Sequence, residues 1–410
     1  WQADGVDIAA ATGSSFTPTA AEAHASITVT VTAHDGNGGT VTATSSGVTV
    51  GNSNPSFVAT PAISGTAAVN SILSVINTAT TDSDGDTVTL TYQWQADGVD
   101  IAGATGASFT PTAAEAHASI TVTVTSNDGN GGTTSASTAG VTMANANPGF
   151  TATPTISGTA AVGSALSVIN TATSDADGDS STLSYQWKAG GVNIAGATSA
   201  SFTPTSAEAH ASITVTVTAD DGNGGTISAT SAGVTVANSD PTFAATPTIS
   251  GTAAVGSTLS AINTSTTDND GDTTTLSYQW QAGGVDIAGA TSASFTPTSA
   301  EAHASITVTV IADDGNGGTP TETSTATTVA NTAPVNTGAP VISGNILVGS
   351  VVTTSNGSWT DADGDTPSYS YVWKANGSVI AGFSNNKFTV TSAQLGSVLT
   401  ADVTANDDNG

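Results

Sequence analysis

The sequence has no cysteine, no arginine, one methionine and only three lysines, Lys188, Lys374 and Lys387. Each scarcity removes a class of function. Without cysteine there is no disulfide framework, no thiol catalysis and no Cys-type zinc site. Without arginine and with few lysines, phosphate clamps and lysine Schiff-base chemistry go too. Against 3 basic residues stand 32 acidic ones, for a formal net charge of −29. Such a surface repels phosphate backbones and anionic lipid head groups, so nucleic acid is excluded as a partner. No run of 18 apolar residues occurs, so no membrane insertion of this segment is expected. Charged residues are only 9% and aromatic residues 5%.

What is present can still build cores, because 37% of the residues are hydrophobic and mean hydropathy is +0.06. At roughly 100–200 residues per domain, the length alone suggests two to four domains. A repeat sharpens this. Trp1, Trp94, Trp187, Trp280 and Trp373 are spaced by 93 residues each time, as are Phe16, Phe109, Phe202, Phe295 and Phe388, and Pro55, Pro148, Pro241 and Pro334. Between 94–125 and 280–311, only four of 32 positions differ. That period is too long for a solenoid repeat of about 20–50 residues and is the size of a domain. The expected organisation is five copies: 1–52 (its N-terminal half missing), 53–145, 146–238, 239–331 and a divergent, truncated 332–410. A first copy that starts mid-unit and a last one that stops in a loop suggest a segment of a longer protein.

One copy, 146–238, reads as a series of short strands. Thr155–Gly158, Ala165–Thr173, Leu183–Ala189, Ser201–Thr205, Ile213–Ala219 and Thr226–Val236 carry strand signals. Ile213, Val215 and Val217 alternate with threonines, the pattern of a strand with one buried face. Thr205-Ser206-Ala207-Glu208 fits a capping box and predicts a helical turn around Glu208–Ala211. Asp221–Gly225 reads as a hairpin turn. About seven short strands with one tryptophan on the third argue an all-β fold of tandem immunoglobulin-like β-sandwich domains. Strands of 7–9 residues at ~3.4 Å each, plus end loops, would make each unit roughly 35–45 Å long.

The string YQWxAxGVxIAGAT, then FTxTxA and a strand like ITVTVTAxD, resembles the immunoglobulin-like and cadherin-like tandem repeats of very large bacterial surface proteins and adhesins, in their extender regions. The resemblance spans essentially the whole chain. It implies an extracellular, secreted or cell-surface location and a stalk role in cell adhesion. The adhesion ligand would be bound elsewhere in the parent protein. The last copy departs most, with Gln394 and Gly396 where the fourth has Glu301 and His303, and with a second tryptophan, Trp359.

The acid is concentrated. A DxDGD cluster precedes the tryptophan strand in four copies: Asp82, Asp84 and Asp86; Asp175, Asp177 and Asp179; Asp268, Asp270 and Asp272; Asp361, Asp363 and Asp365. A second acidic loop follows the ITVTVT strand, with Asp35, Asp128, Asp220 and Asp221, Asp313 and Asp314, and Asp407 and Asp408. Together these are 20 of the 27 aspartates. In an immunoglobulin-like sandwich both loops lie at the end of the domain that receives the linker, where Asn54, Asn147 or Asp240 should join them. Like charges so gathered repel unless a cation sits among them, and Ca2+ with its many oxygen ligands is the expected one. The spacing is not that of an EF-hand, since position 12 from Asp82 is Gln93. Glu22, Glu115, Glu208 and Glu301 recur with His24, His117, His210 and His303 as Glu-Ala-His. The glutamate is either a ligand for the next copy's ion or, the reading preferred here, only a cap. No zinc site is expected from this pair, which lacks further ligands. No nucleophile elbow or metal triad appears, so no enzyme is expected. The competing function is a self-associating filament or a glycan-binding module.

Overall fold

A computed structural model describes residues 1–407; Asp408, placed by sequence in the last acidic loop, lies outside the described residues. The chain forms two compact units, one comprising Trp1–Ser157, Ser167–Phe202 and Thr214–Gly233, the other Gly158–Leu166, Thr203–Ile213 and Val234–Gly410. Copy 53–145 lies wholly in the first and copy 239–331 wholly in the second.

In copy 53–145 the strands are β1 (Ser56–Phe57), β2 (Ala62–Ser64), β3 (Leu73–Ile76), β4 (Thr80–Thr81), β5 (Thr89–Ala96), β6 (Val99–Asp100), β7 (Ser108–Phe109), β8 (Ser119–Asn127), β9 (Thr133–Ser137) and β10 (Val141–Thr142). They form an antiparallel sheet β6-β5-β8-β9 with β10 also on β8, a second sheet β7-β3-β2, and the pair β1-β4. This is a β-sandwich of the expected class. β8 explains why: in Ser-Ile-Thr-Val-Thr-Val-Thr-Ser-Asn every second side chain faces the opposite sheet, and Ile120, Val122, Val124 and Ser126 are buried. Trp94 sits opposite Val122, is fully buried and packs on the Phe109 ring at 5.6 Å. Its Nε1–H donates to the Gly106 carbonyl at 2.9 Å, so the indole is buried without an unpaired donor. Leu73 and Met143 complete that core. The outward threonines pair sideways instead, Thr123 with Ser137 and Thr125 with Ser135.

Burial here is a property of two sheets, not of one strand. Val31, the counterpart of Val124 in the first copy, is 62% exposed, whereas Val124 is fully covered.

Copy 239–331 repeats the plan with Trp280, Ile306, Val308 and Val310 buried. Its ninth strand is shorter, Thr321–Thr323, because Pro320 has no N–H for the ladder and only its carbonyl bonds, to Ala312 N–H.

Several boundaries differ from expectation for local reasons. The helical turn is a 3-10 turn at Ser206–Glu208, earlier than Glu208–Ala211, because Thr205 is its N-cap. His210, at φ 60°, turns the chain out of it. The strand expected over 165–173 breaks after Ile169, where Asn170 takes φ 60°. The strand expected over 226–236 splits into Thr226–Thr230 and Val234–Thr235, and Ser231 between them bonds Val215 with both its Oγ and its N–H. Gly149–Phe150 pairs with Thr173–Ser174 as two-residue strands, so Thr173 belongs to a separate short strand.

Trp359 has a structural explanation. In copies 53–145 and 239–331 an aromatic on the first strand faces a threonine, Phe57 on Thr80 and Phe243 on Thr266. In the last copy the aromatic has crossed to the other strand, and Asn336 faces Trp359. Removal of one core tryptophan should cost one copy its stability. Trp280→Ala is expected to lose about 3–5 kcal/mol, seen in denaturant unfolding as an earlier transition with about one copy's share of the amplitude.

Candidate metal centre at the repeat junctions

Each junction begins with a short linker whose polar groups turn back onto the acidic loops of the copy that follows. Asn145 Nδ2 donates to Asp221 Oδ2 at 2.9 Å, and the Ala146 N–H donates to Asp177 Oδ2. The other junctions repeat this, with Asn52 on Asp128, Asn238 on Asp314 and Asn331 on Asp407, and with the N–H of Ser53, Ser239 and Thr332 on Asp84, Asp270 and Asp363. The linker asparagine in contact is therefore Asn145, two residues before the Asn147 that sequence suggested. Asn147 Oδ1 still lies near, 2.9 Å from where a Cβ on Gly225 would stand.

The second acidic loop wraps its own carboxylate. Asp221 Oδ1 accepts the N–H groups of Asn223 and Gly225 at 2.8 and 2.9 Å. A Cβ on Gly225 would lie 2.0 Å from Asp221 Oδ2, so only glycine lets the loop close this tightly. The linker asparagine, foremost, then the backbone N–H groups hold Asp128, Asp221 and Asp314 below the usual aspartate value of 3.8, against burial, which pulls the other way. In the first copy the N–H groups of Asn37 and Gly39 lower Asp35 likewise.

The DxDGD loop supplies oxygens that nothing in the protein satisfies. Asp175 Oδ1 accepts the Asp177 N–H at 2.7 Å, yet Asp175 Oδ2, Asp177 Oδ1 and Asn145 Oδ1 are buried without a donor. The same three atoms are left at Asp268, Asp270 and Asn238, and at Asp361, Asp363 and Asn331; at the first junction it is Asp82 Oδ2. Asp177, Asp270 and Asp363 are only 3–4% exposed. A buried carboxylate oxygen without a donor is costly. Repetition at the same positions marks a built feature, and its donor set, carboxylates and a carboxamide, suits a hard cation. Ligand oxygens of Asp82, Asp86 and Asp128 lie within 4.8 Å of one another.

Other expected residues take different places. Asp220 and Asp313 are exposed, and each accepts the N–H two residues on, at Gly222 and Gly315, to close the turn. Asp240 is exposed, with Oδ1 2.8 Å from a Cβ built on Gly318. The glutamates act as caps: Glu208 Oε2 accepts both the N–H and the hydroxyl of Thr205. In the first copy the Thr19 N–H, foremost, and the Thr19 hydroxyl donate to Glu22 in the same way and lower it below its usual 4.5.

The residue that sequence reading undervalued is the histidine. Nε2 of His24, His117, His210 and His303 lies 2.9 Å from Oδ2 of Asp86, Asp179, Asp272 and Asp365, always in the following copy. Two asparagines add to this, Asn223 donating to Asp179 and Asn316 to Asp272. Close approach of backbone permits it: a Cβ on Gly178 (φ 83°) would stand 3.4 Å from Ala113 Cβ in the preceding 3-10 turn. The signal was the common spacing of 62 residues from each histidine to its aspartate.

No protein-family model matches the sequence, and no curated protein matches it. Among solved structures, similarity is found to Sidekick-1 immunoglobulin domains 1–5 (15% identity, TM-score 0.25, covering 83% of this chain and 76% of that one). It is found also to mouse cadherin-23 EC22–24 (15% identity, TM-score 0.26, 68% and 98%) and to the human desmocollin-1 ectodomain (13% identity, TM-score 0.22, 90% and 82%). These neighbours are tandem immunoglobulin-like or cadherin-like domains. At such scores they carry no argument about the site, which rests on its own geometry.

The lowered aspartates have a pH consequence. A carboxylate held below its unfolded value stabilises the fold above that value, and the stabilisation is lost as pH falls through the lower, folded value. Asn145→Ala removes the foremost influence lowering Asp221. In metal-free buffer it is expected to melt below the parent chain at pH 7, with the gap closing as pH falls below 3.8. Melting curves from pH 7 to acid check this.

Proposed function

We propose that this chain is a non-enzymatic structural stalk, an extender segment of an extracellular bacterial adhesin or surface fibre, in which each 93-residue copy is a domain and Ca2+ stiffens the domain junctions. One observation carries the reading: at the junctions, buried carboxylate and carboxamide oxygens stand together without donors. Ca2+ takes roughly six to eight oxygens. Asp175, Asp177, Asp179, Asp221 and Asn145 would supply them at one junction, with water or backbone carbonyls completing the shell. The ion would tie the linker to both loops and cancel part of their mutual repulsion. Non-catalytic use of the chain is supported by how its reactive groups are engaged. Many strand hydroxyls pair with one another, and four of the five histidines bind the next copy.

One observation favours lateral association as a second reading. Val6, Val99, Val192 and Val285 recur at one position, each 70–73% exposed. A glycan platform is less supported, because Trp94, Trp187, Trp280 and Trp373 are fully buried.

Calcium is expected to bind the EDTA-treated chain at about one or more ions per junction by calorimetry. Melting temperature should rise on binding, by about 4–8 °C for each kcal/mol of linked stabilisation in a domain of this size. Small-angle scattering should show a stiffer particle with Ca2+ than with EDTA. Identical melting and scattering in both buffers would remove the calcium reading. Sedimentation that changes with protein concentration would favour lateral association.

A further inference from the structure

The histidine at each junction does not belong to an oxygen-only calcium site, yet it stands against it. Nε2 of His117, the carboxylate of Asp177 and the carboxylate of Asp179 offer ligand atoms all within 4.8 Å of one another. The same trio forms at His24, Asp84 and Asp86, at His210, Asp270 and Asp272, and at His303, Asp363 and Asp365. In three of the four, the first aspartate is at most 4% exposed and keeps an oxygen without a donor.

We infer that each junction holds a second cation position, formed by the histidine of one copy and two aspartates of the next, that takes a divalent transition-metal ion of the Zn2+ class. Imidazole nitrogen is a common ligand for such ions and is foreign to Ca2+ shells, which are built from oxygen. Imidazole nitrogen and carboxylate oxygen are both zinc ligands, and three protein ligands leave a fourth place for water. Metal–ligand bonds of about 2.0–2.2 Å put neighbouring ligand atoms on the order of 3–3.5 Å apart. The observed 2.9 Å between Nε2 and Oδ2 needs only a small opening to match. Charge points the same way. Asp82, Asp84, Asp86 and Asp128 bring four carboxylates to the first junction, and one Ca2+ balances only two of them. A second divalent ion, sharing the Asp84 and Asp86 carboxylates with the first, balances the rest. The Glu-Ala-His motif lacked ligands in sequence because the other two come from the next copy.

The inference depends on the calcium reading only in that Ca2+ fills the neighbouring oxygens. The test uses the full chain, stripped with EDTA and titrated with ZnCl2 by calorimetry, with and without saturating Ca2+. Zinc-edge X-ray absorption then reports imidazole in the shell. The comparison variant carries His24→Asn, His117→Asn, His210→Asn and His303→Asn together. Asparagine is chosen because these positions have φ of 60–66°, a region that asparagine tolerates. The expected result is four Zn2+ per chain with Ca2+ present, imidazole in the shell, and loss of Zn2+ binding in the variant with calcium binding kept. If the fourfold variant does not fold by circular dichroism, His210→Asn alone should lower the count from four to three. Zn2+ that merely displaces Ca2+ one for one, or binds equally well without the histidines, overturns the inference, as does no Zn2+ binding. Zn2+ bound through histidine in a chain that ignores Ca2+ would uphold this site and overturn the calcium reading instead.

Discussion

Electrostatic repulsion is the constraint on which the junctions turn. Four carboxylates from two loops meet at one end of a copy, and the only side-chain cation among the described ion pairs there is a histidine, which is charged only if protonated. Among the described residues the one lysine in an ion pair, Lys374, is spent elsewhere, on Asp402. Neutral donors do what they can. Backbone N–H groups and a linker asparagine satisfy Asp128, Asp221 and Asp314 so well that these favour ionisation. The DxDGD loop receives fewer donors and keeps bare oxygens in a buried place. The two loops thus differ: the second closes on the linker through donors of its own, while the first keeps buried carboxylate oxygens without a donor.

The sandwich supports this division by being dull elsewhere. Its strands bury isoleucine, valine and tryptophan on one side and pair threonine hydroxyls on the other. No charge is needed for either. Acid is therefore free to concentrate at the loops. Where one copy changes its core, it does so by exchange: the aromatic of the β1–β4 pair moves from one strand to the other in the last copy, and the pair survives.

Much of this was readable from sequence because it depends on local pattern. The alternation in Ser212–Asp220 and the capping box at Thr205 speak for themselves within a few residues. The repeat period located both acidic loops. What could not be read was contact across a junction. Asn145 rather than Asn147 reaches Asp221, a choice made by how the linker enters the next copy. The role of His117 was hidden for the same reason: its neighbours in sequence explain a turn, and its partner lies 62 residues on. Within each Asp-Asp pair the strand's alternation sends Asp220 or Asp313 outward, while Asp221 or Asp314 turns in.

The fixed spacing of these contacts bears on how such a chain changes length. Linker to second loop is always 76 residues, linker to first loop 31, and histidine to aspartate 62. All three are shorter than one period. An insertion or deletion of one whole period between near-identical copies therefore restores every contact, wherever in the copy the break falls. Recombination can lengthen or shorten the chain without producing a faulty joint, so the number of copies can vary while the joint itself stays constant.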